Sequence, residues 1–290
     1  MRKFLSGIAM SALIATGAST GQAEERPDKL TIGLLPGESA PTVMRINEPL
    51  RAYLQTRLGL PVEIVVGANY AATGEALRFG RLDIAYLGPV TYILQSRRAK
   101  LEPFARPTHA DVGPTFQAVV IVPADSSTQT LADLKGKEVA FGDPASTSGT
   151  WVPRYMLLEA GLVSGRDYTL RVLGAHDAVA MAVANRKADA GGLSMPIYNR
   201  LIREQKLDPA TVRVLADSPP IPEYMWTFRE GLEPAFKEEI RQAFLDVTDP
   251  AALQVLRAVA FIPAVDSDVD RVRLWIEAIG KSAPGTVPEP

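Results

Sequence analysis

Four hydroxyl side chains crowd one glycine in the run Phe141-Gly-Asp-Pro-Ala-Ser-Thr-Ser-Gly-Thr150: Ser146, Thr147, Ser148 and Thr150 surround Gly149. An apolar stretch, Lys137 to Phe141, leads in, and Trp151 to Ala160 reads as a helix that stops at Gly161. A strand, a turn of small residues and a helix start together make an anion site. The first N–H groups of a helix lack partners and point outward, and the helix dipole adds partial positive charge there. Hydroxyls supply further donors at little steric cost. A single Ser or Thr is enough to cap a helix, so four beside a glycine exceed what a cap needs. No Lys or Arg lies between Gly142 and Pro153. The site would therefore grip with neutral donors, which count the oxygens and protons of a ligand where a bare cation accepts any anion.

The chain has two histidines. His176 follows an apolar run and opens a helix beside Asp177, where it can donate to an anion. Asp177 itself would repel an anion and is better placed to start the helix or to orient His176. His109, in Pro107-Thr-His-Ala-Asp111, reads as exposed and structural. Ser146 or Ser148 with His176 and Asp177 also contains the residue types of a nucleophile, a base and an orienting carboxylate. The Gly-x-Ser-x-Gly elbow of many serine hydrolases is absent, however, because Ser-Thr-Ser-Gly-Thr does not match it. Tyr70, after Asn69, is a candidate to reach the anion; Tyr92 reads more as packing, and Trp151 as a prop behind the hydroxyl run. No metal constellation and no cofactor motif is found.

These residues need a scaffold, and the 290-residue chain is long enough for two domains. With 47% hydrophobic and 22% charged residues it can bury a core. A formal net charge of −2 without charge blocks argues against nucleic acid and against electrostatic membrane binding. Arg2 and Lys3, the apolar Leu5 to Ala15 and the small residues Gly21-Gln22-Ala23 read as a signal peptide over residues 1–23. There are no cysteines, so disulfides, a lipoprotein anchor, zinc–thiolate sites and Cys nucleophiles are excluded. The expectation is a periplasmic protein with no direct membrane insertion.

Strands and helices alternate along the chain. Leu30–Leu35, Val62–Val66 and Asp83–Leu87 read as strands, and helices are expected over Asn47–Leu60, from Asn69-Tyr70 to about Gly80, and over Val90–Arg98. Further strands are expected at Phe116–Val122, Tyr168–Leu173, Ala188–Leu193, Val212–Ala216 and Tyr224–Arg229. Helices are expected from His176, from Pro196, and over Pro234–Asp246, Asp249–Val259 and Asp266–Ile279. The pattern predicts α/β lobes with parallel sheets, whose ligands sit beyond the carboxyl ends of the strands. Polar or proline-rich joints near Pro123 and at Pro219–Pro222 divide the chain into lobe 1 (residues 28–122 and 223–281) and lobe 2 (residues 123–222). Residues 282–290 read as a disordered tail. Two crossings between two lobes make a hinged clamp.

The set Asn69-Tyr-Ala-Ala-Thr73, Gly88-Pro-Val-Thr-Tyr92, Asp143-Pro-Ala-Ser-Thr-Ser-Gly149, Gly174-Ala-His-Asp177 and Ser218-Pro-Pro-Ile-Pro222 resembles the phosphate/phosphite/phosphonate-binding subunits of ABC importers, the PhnD-like periplasmic proteins. The resemblance covers nearly the whole chain after residue 23. It implies a class II periplasmic binding protein fold, two α/β lobes joined by a two-crossing hinge. It also implies a small phosphorus oxyanion as ligand, and a membrane permease with its ATPase as partners of a monomeric receptor. Ser146, Thr147, Ser148 and the Gly149–Thr150 backbone would hold the oxygens, with His176 donating from one lobe and Tyr70 from the other. The chain departs from the family where relatives often carry a tyrosine at Phe116 and an Asp where Glu223-Tyr224 stands. With no charge in Gly191–Pro196, these departures point to a ligand without an amine: phosphite, phosphate, hypophosphite or a small alkylphosphonate. The same pocket would also serve a ligand-sensing subunit of a signalling partner.

Overall fold

The computed structural model describes residues 26–282; the expected signal peptide and tail lie outside them, apart from Ser282. The chain begins β1 (Leu30–Leu34), α1 (Ala40–Leu58), β2 (Val62–Val66), α2 (Tyr70–Arg78), β3 (Ile84–Leu87), α3 (Pro89–Ser96), β4 (Glu102–Thr108) and β5 (Thr115–Phe116). It continues with β6 (Ala118–Pro123), β7 (Glu138–Gly142), a π-helical turn (Thr147–Trp151) running into α4 (Val152–Glu159), β8 (Thr169–Gly174), α5 (His176–Ala184), β9 (Ala190–Ser194), α6 (Met195–Arg203) and β10 (Val212–Asp217). It closes with β11 (Ile221–Pro222), β12 (Met225–Phe228), α7 (Pro234–Leu245), α8 (Pro250–Gln254), β13 (Ala260–Pro263) and α9 (Asp270–Ser282). Among the described residues no helix is long and apolar enough to cross a membrane.

Two sheets form two lobes. One has the order β13-β4-β12-β3-β1-β2, the other β10-β6-β9-β7-β8. β1, β2 and β3 pair parallel, as do β7, β8 and β9, while β12, β4 and β13 join antiparallel, as do β6 and β10. Both sheets are therefore mixed, which the alternation of strands and helices alone did not indicate. β4 carries Pro103 and Pro107, residues that argue against an inner strand because they cannot donate to a ladder. It is nonetheless held between β12 and β13, with a register irregularity at Trp226/Thr227.

The expected boundary at residue 122 does not match the sheets. β6 has six consecutive buried residues and pairs with β9 and β10 in the second sheet, as a strand covered on both faces does. The first crossing falls at Gln117, and Pro123 ends a strand of the second lobe. The return crossing runs through Ser218–Pro220. β5 and β11 pair antiparallel across the two passages, and Ala118 N–H donates to Ser218 Oγ at 2.9 Å. The first lobe's core gathers Leu30, Ile32, Leu54, Trp226, Phe244 and the stacked rings of Phe104 and Phe228, 3.9 Å apart. α9 leaves the first lobe and packs on α4 of the second, where Trp275 stacks on Tyr155 at 5.4 Å. Helix α1 starts seven residues before the expected Asn47 and runs through Pro49, whose ring forfeits one helical hydrogen bond. The expected helix Asp249–Val259 is shortened to α8, and Ala260–Pro263 is drawn into the sheet beside β4.

Candidate functional site

Four helical starts face the gap between the lobes: α2 at Tyr70, α3 at Pro89, the π-helical turn at Thr147 and α5 at His176. Each follows the carboxyl end of a strand, β2, β3, β7 and β8 respectively. Four helix dipoles present their positive ends to one place, which favours an anion. Asn69 caps α2 by accepting from Ala72 N–H at 2.7 Å. Pro89 at the start of α3 gives up an N–H that would have lacked an intrahelical partner.

The hydroxyl turn is fully built into the protein. Asp143 anchors it: Oδ1 accepts from Ala145 N–H at 2.8 Å, and Oδ2 accepts across the gap from Tyr70 N–H at 3.0 Å. Ser146 Oγ accepts from Gly149 N–H at 3.0 Å, and Thr147 Oγ1 accepts from Val90 N–H, also across the gap, at 3.0 Å. Accepting leaves each of these hydroxyls its own proton to donate. Ser148 Oγ is buried with no hydrogen-bond partner among the described residues. The π-helical turn closes with Trp151 N–H donating to Ser146 C=O at 3.1 Å. By position the N–H groups of Thr147 and Ser148 have no intrahelical acceptor. Trp151 props the turn from behind, donating its indole N–H to Pro144 C=O at 2.7 Å.

His176 is 1% exposed. Its Nδ1 accepts from Ser194 N–H at 3.2 Å. Burial pulls the imidazole down to a pKa of about 4, so at neutral pH the ring is uncharged and its proton sits on Nε2. The group is thus a neutral donor. The Tyr70 phenol lies beside the Ser146 hydroxyl and the Tyr224 phenol, and Tyr224 lies beside Ser148. Burial raises both phenols above their ordinary value, and the charge of Glu223 adds to the rise at Tyr224. Close approach at this point requires glycine. A Cβ on Gly149 would stand 2.8 Å from both His176 Cε1 and Ser146 Oγ. One on Gly37 would stand 3.1 Å from the Tyr70 hydroxyl.

The structure thus brings Tyr70, Ser146, Thr147, Ser148, Gly149, His176 and Tyr224 together. The other candidates do other work. Thr150 spends its hydroxyl proton on Asp143 C=O at 2.8 Å, and Gly149 spends its N–H on Ser146, so neither group is free to bind. Tyr92 donates to Asp266 Oδ1 at 2.7 Å and ties α3 to the turn before α9, away from the hydroxyls. Asp177 turns back on the helix start, accepting from Ala178 N–H at 2.9 Å, and Ser194 N–H, not Asp177, meets the imidazole. Phe116 offers no hydroxyl and packs edge-on against Tyr224 at 5.7 Å. His109 is buried, contrary to expectation. Its Nδ1 faces Arg257 C=O at 3.0 Å and its Nε2 faces Glu223 Oε1 at 3.1 Å. Both neighbours offer acceptors, which favours the doubly protonated ring, and the hydrogen bond to Glu223 raises its pKa.

The closed lobes are joined by further bonds across the gap. Thr91 Oγ1 donates to Ala145 C=O at 3.1 Å, His176 N–H donates to Gly37 C=O at 3.0 Å, and Arg200 pairs with Glu38. Residues 146–150 are sealed from solvent in this arrangement. Outside them opens a chamber of about 560 Å³, whose wall includes Tyr70, Phe116, His176, Ser194 and Tyr224. Asp143 and Ser194, which fix the turn and the imidazole, went unread as functional residues, because each works through a partner distant in sequence.

Comparison with known proteins agrees with this architecture. Residues 32–269 match the family model described as "ABC transporter, phosphonate, periplasmic substrate-binding protein". The chain is 28% identical to the phosphonates-binding periplasmic protein of Escherichia coli K12, over 98% of this chain and 86% of that one. It is 27% identical to the phosphate-import protein PhnD of Mycolicibacterium smegmatis, over 96% of each. The crystal structure of a binding-protein component of an ABC phosphonate transporter from Pseudomonas aeruginosa superposes with a TM-score of 0.79, at 24% identity over 86% of each chain.

Proposed function

The chain belongs to the family of periplasmic substrate-binding proteins of phosphonate ABC transporters, and from that premise we propose that it captures a small phosphorus oxyanion between its lobes and delivers it to a membrane permease and its ATPase. The ligand is phosphite, phosphate, hypophosphite or a small phosphonate, taken up in the periplasm by a receptor exported with a cleavable signal peptide. The observation that carries this reading is Ser148 Oγ, a fully buried hydroxyl that meets hydrogen-bond geometry with no group among the described residues, at a helix start where Tyr70, Tyr224 and His176 converge. Buried polar atoms are almost always paired, so an orphan at a designed helix terminus marks a place for a ligand atom. Ser146, Thr147 and Ser148 would donate hydroxyl protons, His176 would donate Nε2–H, and the two phenols would donate from the first lobe's side. The lobes must part to admit the anion and close again over it, exchanging some of the bonds across the gap for bonds to oxygen.

The same geometry weighs against a hydrolase. The one unprotonated nitrogen of His176 is occupied by Ser194 N–H, and an imidazole held at a pKa of about 4 is a weak base. A ligand of four to six heavy atoms has an affinity ceiling of about 6–9 kcal/mol, roughly micromolar. Nearly every oxygen must then be satisfied, as an enclosed site allows.

Calorimetry with phosphite and with methylphosphonate tests the reading. Ser148→Ala should weaken binding about 10- to 150-fold, the worth of a hydrogen bond to a charged group. Its resistance to urea should be unchanged or slightly improved, since an unpaired hydroxyl is removed. Affinity equal to that of the parent protein would take Ser148 out of the site. Turnover of phosphoesters that Ser148→Ala abolishes would restore the hydrolase.

A further inference from the structure

The charge in the outer chamber is not needed to hold an inorganic anion at the hydroxyl turn. At about 560 Å³ the chamber lies in the range of sites for organic ligands, ~300–1,000 Å³. A four-atom anion would leave most of it to water, at roughly 30 Å³ per molecule. Its charged wall residues are Arg45, Arg200, Arg203, Arg257, Glu38 and Glu223. Arg45 on α1 and Arg257 after α8 come from the first lobe; Arg200 and Arg203, one helical turn apart on α6, come from the second. Both carboxylates are committed. Glu38 pairs with Arg200 across the gap, and Glu223 is held by the His109 ring at Nε2 and by Tyr224 N–H at 3.1 Å. The guanidiniums of Arg45, Arg203 and Arg257 make no hydrogen bond or ion pair with any described residue. Arg45 nonetheless acts across the gap, adding to the lowering of the Glu204 pKa on the opposite lobe after Lys206 and Arg200. Guanidiniums from both lobes therefore converge on one volume in which they outnumber the carboxylates, since Glu38 pairs with Arg200 and Glu204 is held first by Lys206, an arrangement that costs repulsion unless a further anion shares it.

Resting on the reading above and narrowing it to its phosphonate branch, we propose that the ligand is an organic phosphonate carrying a second anionic group, a carboxylate or a second phosphoryl group, on a short apolar linker. The phosphorus head meets the hydroxyl turn, the linker crosses the chamber past Leu35 and Ile197, and the second anion lies among Arg45, Arg203 and Arg257. An amine in that position would find both carboxylates already occupied. Because the three arginines are exposed, their attraction is screened by salt, whereas the neutral donors of the turn are not.

The probes are 3-phosphonopropionate, propylphosphonate, 3-aminopropylphosphonate and phosphite, titrated calorimetrically at low and at physiological salt. We expect 3-phosphonopropionate to bind about tenfold tighter than propylphosphonate at low salt, with the advantage shrinking as salt rises. The combined substitution Arg45→Gln, Arg203→Gln and Arg257→Gln should erase that advantage and leave propylphosphonate affinity within about twofold. Equal or weaker binding of the carboxylated probe, tighter binding of the amine, or an advantage that survives the triple substitution overturns the proposal while leaving the phosphorus receptor intact. Failure of all four probes to bind removes the receptor reading, and this inference with it.

Discussion

Acid should weaken this fold through His176 by an amount the structure sets. The imidazole falls from an ordinary pKa of 6.5 to about 4 in the folded protein, because burial disfavours its charged form. A base with a depressed folded pKa binds more protons when unfolded. Its contribution to stability is intact above pH 6.5 and is lost as pH falls toward 4. Linkage gives a loss of about 2 kcal/mol at pH 5 and about 3 kcal/mol at pH 4, relative to neutral pH. The control is His176→Asn, which keeps an acceptor for Ser194 N–H and carries no titratable group. The measurement is urea unfolding of both proteins from pH 7.5 to 4 without ligand. Any fixed cost of the substitution cancels in the difference between the two pH profiles. His109 also cancels, being present in both. Its pKa is raised, so its contribution has the opposite sign, present below 6.5 and lost as pH rises through the raised value. The stability gap should move in favour of the variant by about 3 kcal/mol on acidification. Parallel profiles would show that His176 is charged or solvated in the native state, and the neutral Nε2 donor would then be wrong.

Other substitutions separate binding from scaffolding. Gly149→Ala should abolish phosphite binding and cost about 1–3 kcal/mol in urea unfolding, because its methyl group would stand 2.8 Å from the His176 ring; retained affinity would mean that the ring can move aside. Thr150→Val should cost about 1 kcal/mol of stability through the lost bond to Asp143 C=O. It should leave methylphosphonate affinity within about twofold, and a large affinity loss would return Thr150 to the ligand. Phe104→Ala should cost about 3–5 kcal/mol by denaturant melt, since its ring is fully buried and stacked on Phe228. A loss below 1 kcal/mol would show that the aromatic cluster collapses around the gap.

The elements nearest the site were the most legible. Strand, small-residue turn and helix start can all be read within twenty residues around Gly149, and the same holds around Tyr70, Pro89 and His176, because helix starts are local events fixed by caps and chain stiffness. The antiparallel half of the first sheet was illegible for the opposite reason. β4 contains two prolines, and β13 is four residues long in a stretch adjoining helical periodicity. β4 is a strand because β12 supplies a neighbour from more than a hundred residues away, and β13 because β4 does. The lobe boundary failed similarly at β6. A polar joint after Pro123 looks like a crossing, yet six buried residues need two flanking strands, and β9 and β10 provide them.

The donor chemistry could be read from residue type, but the disposition of each proton could not. Ser146, Thr147, Ser148 and Thr150 are equivalent as a sequence pattern. The structure separates them by what each faces: Gly149 N–H, Val90 N–H, no hydrogen-bond partner among the described residues, and Asp143 C=O. A hydroxyl that accepts from the protein keeps its proton for a ligand, and one that donates to the protein does not. Of the four, three can therefore donate outward and one cannot, and Val90 and Asp143 decide this from two different lobes or turns. His176 follows the same logic, since Ser194 N–H selects the tautomer that makes its outer nitrogen a donor. The turn is thereby polarised toward donation without a formal charge of its own. Such a surface favours an oxygen-rich anion with few protons, and the lobe that supplies Val90 N–H helps hold it in that state only when the clamp is shut.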